Sequence, residues 1–135
     1  EVDPETGQIY LRRVTTAHDV GTIINPLAHQ GQIDGAFVQG LGFALMEEIQ
    51  QEQGRPTTVN FSDYKIPTIA DVPELSTVLI EAEGGPGPYG SRAIGEHAIA
   101  TVAPAIANAV YDAIGVRITR LPITAEKIHQ ALSSP

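Results

Sequence analysis

The 135-residue chain contains no cysteine, which excludes disulfides, iron–sulfur ligation and thiolate zinc sites within it. Cations are scarce as well: eight Lys and Arg stand against sixteen Asp and Glu, a formal net charge of −8. Duplex nucleic acid and anionic membranes both call for clustered cations, so neither is an expected partner. No run of about 18 apolar residues is present, so a membrane-spanning helix is not expected. The first residues, Glu1-Val2-Asp3-Pro4-Glu5, offer neither an initiator Met nor a signal-peptide core, and the chain reads as a piece of something longer. Several catalytic signatures are missing too. His18, His29, His97 and His129 share no metal-ligand spacing, so no metal ligand is expected. Neither Gly-x-x-x-x-Gly-Lys-Ser/Thr nor a strand-to-helix Gly-x-Gly-x-x-Gly occurs. A Gly-x-Ser-x-Gly elbow fails because Gly90-Ser91 is followed by Arg92.

What is present suffices for one core. Hydrophobic residues make up 42% of the chain, which argues for a single domain over residues 1–135. Thirteen glycines and ten prolines exceed the usual combined usage of about 12%. Their placement carries the information, because Gly permits close backbone approach and Pro marks turns and helix starts. Asp3-Pro4-Glu5-Thr6-Gly7 reads as a tight turn, and the β-branched run after it as a strand near 9–18. Asn25-Pro26 fits an N-cap followed by Pro in the first turn of a helix over 27–50, with Ile33, Phe37, Leu41 and Leu45 on one face.

Farther along, Gln51 to Pro56 is expected to turn about Gly54, and Thr57 to Phe61 to form a short strand. Residues 62–74 read as a crossing loop anchored by Tyr64, Ile66 and Ile69. A second convincing strand spans 75–81. The stretch Gly84 to Glu96 then leads into an alanine-rich helix ending at about 114, with Gly115 just past its end. A strand over 116–121 and a last helix near 124–133, capped by Thr124, complete an α+β fold. It has about three helices, near 27–50, 97–114 and 124–133, on a small mixed sheet.

Two features allow both a structural and a chemical interpretation. Gly31, Gly35 and Gly42 fall within about 40° of one another at 100° per residue, leaving a nearly bare strip on the first helix. Each interior Gly costs up to about 1 kcal/mol relative to Ala, so the strip implies either tight packing or contact with a flat ligand. Gln32 and Gln39, two turns apart, point the same way. Glu96, where a Gly-rich loop meets a helix start, is either a dipole-stabilised first-turn carboxylate or a general base at the mouth of a cleft.

Taken together and in order, five blocks resemble the C-terminal part of the molybdopterin-binding large subunit of the xanthine dehydrogenase/aldehyde oxidase family. They are Asp19-Val20-Gly21 with Ile24-Asn25-Pro26; Gly31-Gln32-x-x-Gly35-Ala36-x-x-Gln39-Gly40-x-Gly42; Asp63 to Pro67; Gly90 to Glu96; and Ala105 to Ala109. The resemblance implies that Glu96 is the base that takes a proton from a molybdenum-bound hydroxide as its oxygen attacks an electron-poor carbon. It implies that Gln32, with Gly31, contacts the molybdopterin, and that Ser91, Arg92 and Gly95 belong to a cofactor-lining loop. Arg92 stands where many members have Lys, exchanging a point charge for a planar fork. His97-Ala98 replaces a pair of prolines common after the family's Gly-Glu.

On this resemblance the chain is a segment of a cytoplasmic molybdenum hydroxylase that oxidises an aldehyde, N-heterocycle or purine with water as oxygen source. Its partners would be the remainder of the molybdenum subunit, iron–sulfur and flavin domains or subunits, and a small-molecule substrate. The isolated chain is expected to hold no molybdenum and to be inactive. A non-catalytic cofactor-binding or assembly domain of the same fold, and an unrelated α+β domain whose glycines serve only packing, are the competing interpretations.

Overall fold

The computed structural model describes residues 1–133. In chain order the elements are β1 (Arg13–Asp19), α1 (Pro26–Leu45), β2 (Gln51–Glu52), β3 (Arg55–Pro56), β4 (Glu74–Ile80), α2 (Val102–Ile114) and α3 (Ala125–Ser133). Short 3₁₀ segments lie at Pro88–Gly90 and Glu96–Thr101. The architecture is α+β. β1 and β4 pair in parallel, and β2 and β3 form a separate antiparallel pair.

Local chemistry sets most of the helix ends. Asn25 accepts a hydrogen bond from the Ala28 N–H at 3.0 Å, and Pro26 occupies the first helical position, where no N–H partner is needed. Gly115, at φ 70°, supplies the left-handed residue that closes α2, donating to the Tyr111 carbonyl at 2.8 Å. Thr124 Oγ1 accepts from the Lys127 N–H at the start of α3. The four-residue apolar spacing buries Ile33, Phe37 and Leu41 on α1 and Val102, Ile106 and Val110 on α2. These faces meet Ile123 and Ile128 in one core, where α1 approaches α2 closely at Gly40.

Several expectations need correction. α1 stops at Leu45 rather than near 50, because the N–H groups of Met46 and Glu47 both turn back to the Gly42 carbonyl. The polar turn about Gly54 is the tip of the β2–β3 hairpin, with Gln53 and Gly54 both at positive φ, as a primed two-residue turn requires. Residues 57–61 are not a strand: Asn60 collects the N–H groups of Ser62, Asp63 and Tyr64 into a turn, leaving Val59 and Phe61 exposed. Tyr64 does anchor the crossing loop, donating its hydroxyl to Glu47, but Ile66 and Ile69 are exposed. The segment 116–121 is irregular. It finds no neighbouring strand, and its chain leads instead to Ile123, whose N–H bonds the Ala44 carbonyl at 2.6 Å.

The helical run expected over 97–114 is divided. Residues 96–101 are 3₁₀ and the α-helix proper begins at Val102. Pro104 explains the division: it lacks an N–H, and its ring opposes the carbonyl four residues earlier, so it is tolerated in a first turn but not deeper. The second strand follows its expected bounds to within a residue, as Glu74–Ile80, but the first begins only at Arg13 rather than near Ile9 and runs to Asp19; the two are in register from Arg13 opposite Glu74 to Asp19 opposite Ile80.

Candidate cofactor site

The loop after β4 is stapled to the end of β1. The Arg92 N–H donates to the Val20 carbonyl at 2.9 Å, and the Thr22 N–H donates to the Gly90 carbonyl at 3.1 Å. Between them Gly21 adopts φ 58°, and a Cβ there would stand 2.3 Å from the Gly90 oxygen, so only glycine fits the crossing. Asp19 braces the same junction: its Oδ1 accepts the Gly21 N–H at 3.1 Å and lies 3.2 Å from Arg92 Nε. Two distant motifs, Asp19-Val20-Gly21 and Gly90-Ser91-Arg92, are thereby one structural unit.

From this staple the chain passes through Gly95 into the 3₁₀ turn that packs on α1. A cleft of about 350 Å³ lies at that contact. α1 contributes Gly31, Gln32, Gly35 and Gln39, and the turn contributes Gly95 and Glu96. A Cβ placed on Gly31 or Gly35 would meet nothing within 4 Å, so that end of the bare strip is an open wall of the cleft, whereas Gly42, the third glycine expected on the strip, is buried against Glu47 and Pro67 and lies outside it. Gly40, on the opposite side of α1, is required for another reason: a Cβ there would stand 2.7 Å from Val102 Cβ. Glu96, Gln32 and Gln39 are exposed, and their side chains make no hydrogen bond among the described residues. A carboxylate and two amides thus face a cleft with their bonding capacity free.

The structure brings together Gly31, Gln32, Gly95 and Glu96, but not Ser91 and Arg92. Ser91 Oγ donates to the Pro88 carbonyl at 2.9 Å, and Arg92 is turned to Asp19, close enough for an ion pair though not aligned as a hydrogen bond. Glu96 opens a 3₁₀ turn, so the positive end of the α2 dipole falls at Val102, one turn-segment away from the carboxylate. Gln39 belongs to the cleft as well, and its two-turn spacing from Gln32 was the signal for it. Among the described residues no three His, Asp or Glu side chains gather as metal ligands, and no helix is long and apolar enough to cross a membrane.

On the far side of the 3₁₀ turn His97 packs edge to face on His18, ring centroids 5.5 Å apart. Partial burial, and then the neighbouring His97, hold the His18 imidazole below its ordinary pKa of 6.5. Among the described residues its Nε2 has no hydrogen-bond partner.

The family model described as the molybdopterin cofactor-binding domain matches residues 1–73. The chain belongs to this family. The gamma subunit of the 6-hydroxypseudooxynicotine dehydrogenase complex of Paenarthrobacter nicotinovorans is 42% identical over 132 residues, covering 95% of this chain and 17% of that protein. The xanthine dehydrogenase molybdenum-binding subunit of Escherichia coli O157:H7 is 38% identical over 131 residues, covering 96% and 17%. The quinoline 2-oxidoreductase of Pseudomonas putida 86 superposes with a TM-score of 0.91 at 32% identity, covering 99% of this chain and 18% of that one. The chain therefore spans less than a fifth of each of these proteins. The cleft fits such a cofactor: a flat, polar pterin can lie against backbone where Gly31 and Gly35 carry no side chain, within reach of unpaired amide and carboxylate groups.

Proposed function

We propose that the chain is one segment of the molybdenum-binding subunit of a cytoplasmic molybdenum hydroxylase, and that its cleft forms one wall of the active site. The observation that carries this reading is the convergence of Glu96, with no competing partner, on the bare strip of α1 beside Gln32. Gln32 and Gln39 offer amide donors and acceptors to the heteroatoms of the pterin, while Gly31 and Gly35 keep the wall smooth. When bound, the molybdenum cofactor supplies the two-electron oxidation. Glu96 supplies the base, taking up at Oε the proton released as the oxygen of water is transferred to the substrate carbon. Gly95 places that carboxylate at the cleft without side-chain crowding.

The relatives are dehydrogenase subunits for 6-hydroxypseudooxynicotine and xanthine and an oxidoreductase of quinoline, and an aldehyde oxidoreductase of Desulfovibrio gigas shares the fold at a TM-score of 0.90. An aldehyde or N-heterocyclic substrate is accordingly the class we assign. Iron–sulfur and flavin groups belong to other domains or subunits, in keeping with a chain that has no cysteine. The test is Glu96→Gln in the complete molybdenum-binding subunit, assayed on a panel of purines, N-heterocycles and aldehydes. Removing a general base lowers kcat by about 10²–10⁴-fold, with molybdenum content unchanged. Undiminished turnover would leave a cofactor-binding or assembly role for the chain in place of a catalytic one.

A further inference from the structure

Among the described residues β1 has a strand partner on one edge only. The Glu74 N–H donates to the Arg12 carbonyl at 3.4 Å, and the Val20 N–H donates to the Ile80 carbonyl at 3.0 Å. Along a strand the N–H and C=O of one residue point to the same side and those of the next residue to the other. The even-numbered residues from 12 to 20 therefore serve β4, and the peptide groups of Arg13, Thr15 and Ala17 face away from it. Among the described residues nothing hydrogen-bonds these three. Beside them lies a groove of about 560 Å³.

One wall of the groove is the unbroken run Arg13 to His18. A sheet face would present every second residue, so an unbroken run means that the backbone edge itself forms the wall. The opposite wall holds Thr101, Ala105 and Ala109, small side chains at four-residue steps along one helical face. A helix laid in this groove would leave the outward peptide groups of β1 unmatched, because its own are bonded internally. An extended segment satisfies them, at the roughly 4.8 Å strand spacing. The sheet is also incomplete as it stands. Parallel sheets are covered on both faces and two-stranded ones are marginal, yet Val78 and Ile80 are nearly half exposed.

The ionisable groups in the groove are Arg13, His18 and His97, and no carboxylate lines it, in a chain of net charge −8. The occupant is thus apolar at its centre, with no cation facing the imidazoles. Relatives extend far beyond the stretch that this chain matches, and that remainder is the source of extended chain at hand. We infer that a strand from the remainder of the molybdenum-binding subunit docks in this groove as a third strand, pairing with Arg13, Thr15 and Ala17 and laying alternate apolar side chains on Thr101, Ala105 and Ala109. This rests on the chain being one segment of such a subunit.

Residue-resolved amide hydrogen exchange tests it, comparing the 135-residue chain with the complete subunit that contains it. The amides of Val14, Thr16 and His18 are expected to be protected in both. Those of Arg13, Thr15 and Ala17 exchange freely in the chain and slow on the order of 100-fold in the subunit. Ala17→Pro removes an outward N–H while sparing the β4 ladder, so the chain is expected to fold as before and the subunit to fail to assemble. Thr16→Pro, which removes a bond to β4, disturbs both. Equal exchange of the three amides in chain and subunit overturns the inference, as does normal assembly of the Ala17→Pro subunit. Concentration-dependent protection of Thr15 and Ala17 in the chain alone overturns it in favour of a second copy of the chain. A subunit with a protected β1 edge but no molybdenum defeats the proposed function and upholds the third strand; a molybdenum-loaded subunit with a freely exchanging edge does the reverse.

Discussion

His18 and His97 meet edge to face with their planes 79° apart, so that the end of β1 touches the turn carrying Glu96 through two imidazoles. Protonating both would set two cations in contact at a partly buried position. With its pKa depressed in the fold, His18 binds its proton less readily than in the unfolded chain. Its contribution is therefore complete above pH 6.5, the unfolded value, and is lost as the pH falls below it. Thermal unfolding between about pH 7.5 and pH 5.5 should show a larger loss of Tm for the native chain than for His18→Phe. Equal losses would mean that the pair does not matter to stability.

The glycines of α1 divide along its length, Gly31 and Gly35 open and Gly40 and Gly42 packed. Gly40→Ala drives a methyl into Val102, and overpacking of that kind costs about 1–3 kcal/mol, outweighing the gain of up to about 1 kcal/mol from removing a helix-interior glycine. Gly35→Ala meets open space and should stabilise the isolated chain by about 0.5–1 kcal/mol, while lowering the molybdenum content of the complete subunit. Urea unfolding and metal analysis of the two variants read these opposite effects.

Arg92 and Gln32 should also behave differently. Arg92 is engaged with Asp19, and an ion pair this exposed is worth about 0–1 kcal/mol. Arg92→Ala is therefore expected to soften the loop staple slightly and to spare most of the bound pterin. Gln32→Ala, which touches no packed contact, is expected to leave Tm unchanged and to deplete the pterin. The reverse ranking in a pterin fluorescence assay would move the site from the α1 wall to the loop.

The purified 135-residue chain should contain no stoichiometric molybdenum, because its cleft is walled on one side only by Gly31 to Gln39 and by Gly95-Glu96. Elemental analysis decides this, and a one-to-one metal content would show that the single wall suffices.

Much of this was legible from residue order, where the deciding interactions are local. The four-residue spacing of Ile33, Phe37 and Leu41, the cap at Asn25, the left-handed Gly115 and the cap at Thr124 are each settled within one or two turns of helix. The strip at Gly31 and Gly35 with Gln32 was legible for the same reason, since helical geometry alone places those residues on one side. Residues 57–61 and 116–121 misled because β-branched composition favours a strand only where a neighbouring strand exists to pair with it. Among the described residues 116–121 pairs with no strand, and 57–61 keeps only the bonds of Thr57 and Thr58 to Gln50 before the chain turns at Asn60.

The family motifs, the helices and the open strip at Gly31 and Gly35 could be read along the chain, because each depends on contacts a few residues apart. Packing in three dimensions was needed to pair β1 with β4, to bring Asp19 and Arg92 to one junction, and to set Glu96 in the cleft with Gln32 while Arg92 turns away. It also decided which glycine is packed and which is open. Those outcomes depend on how separately determined elements fill space together, and no local pattern along the chain encodes that sum.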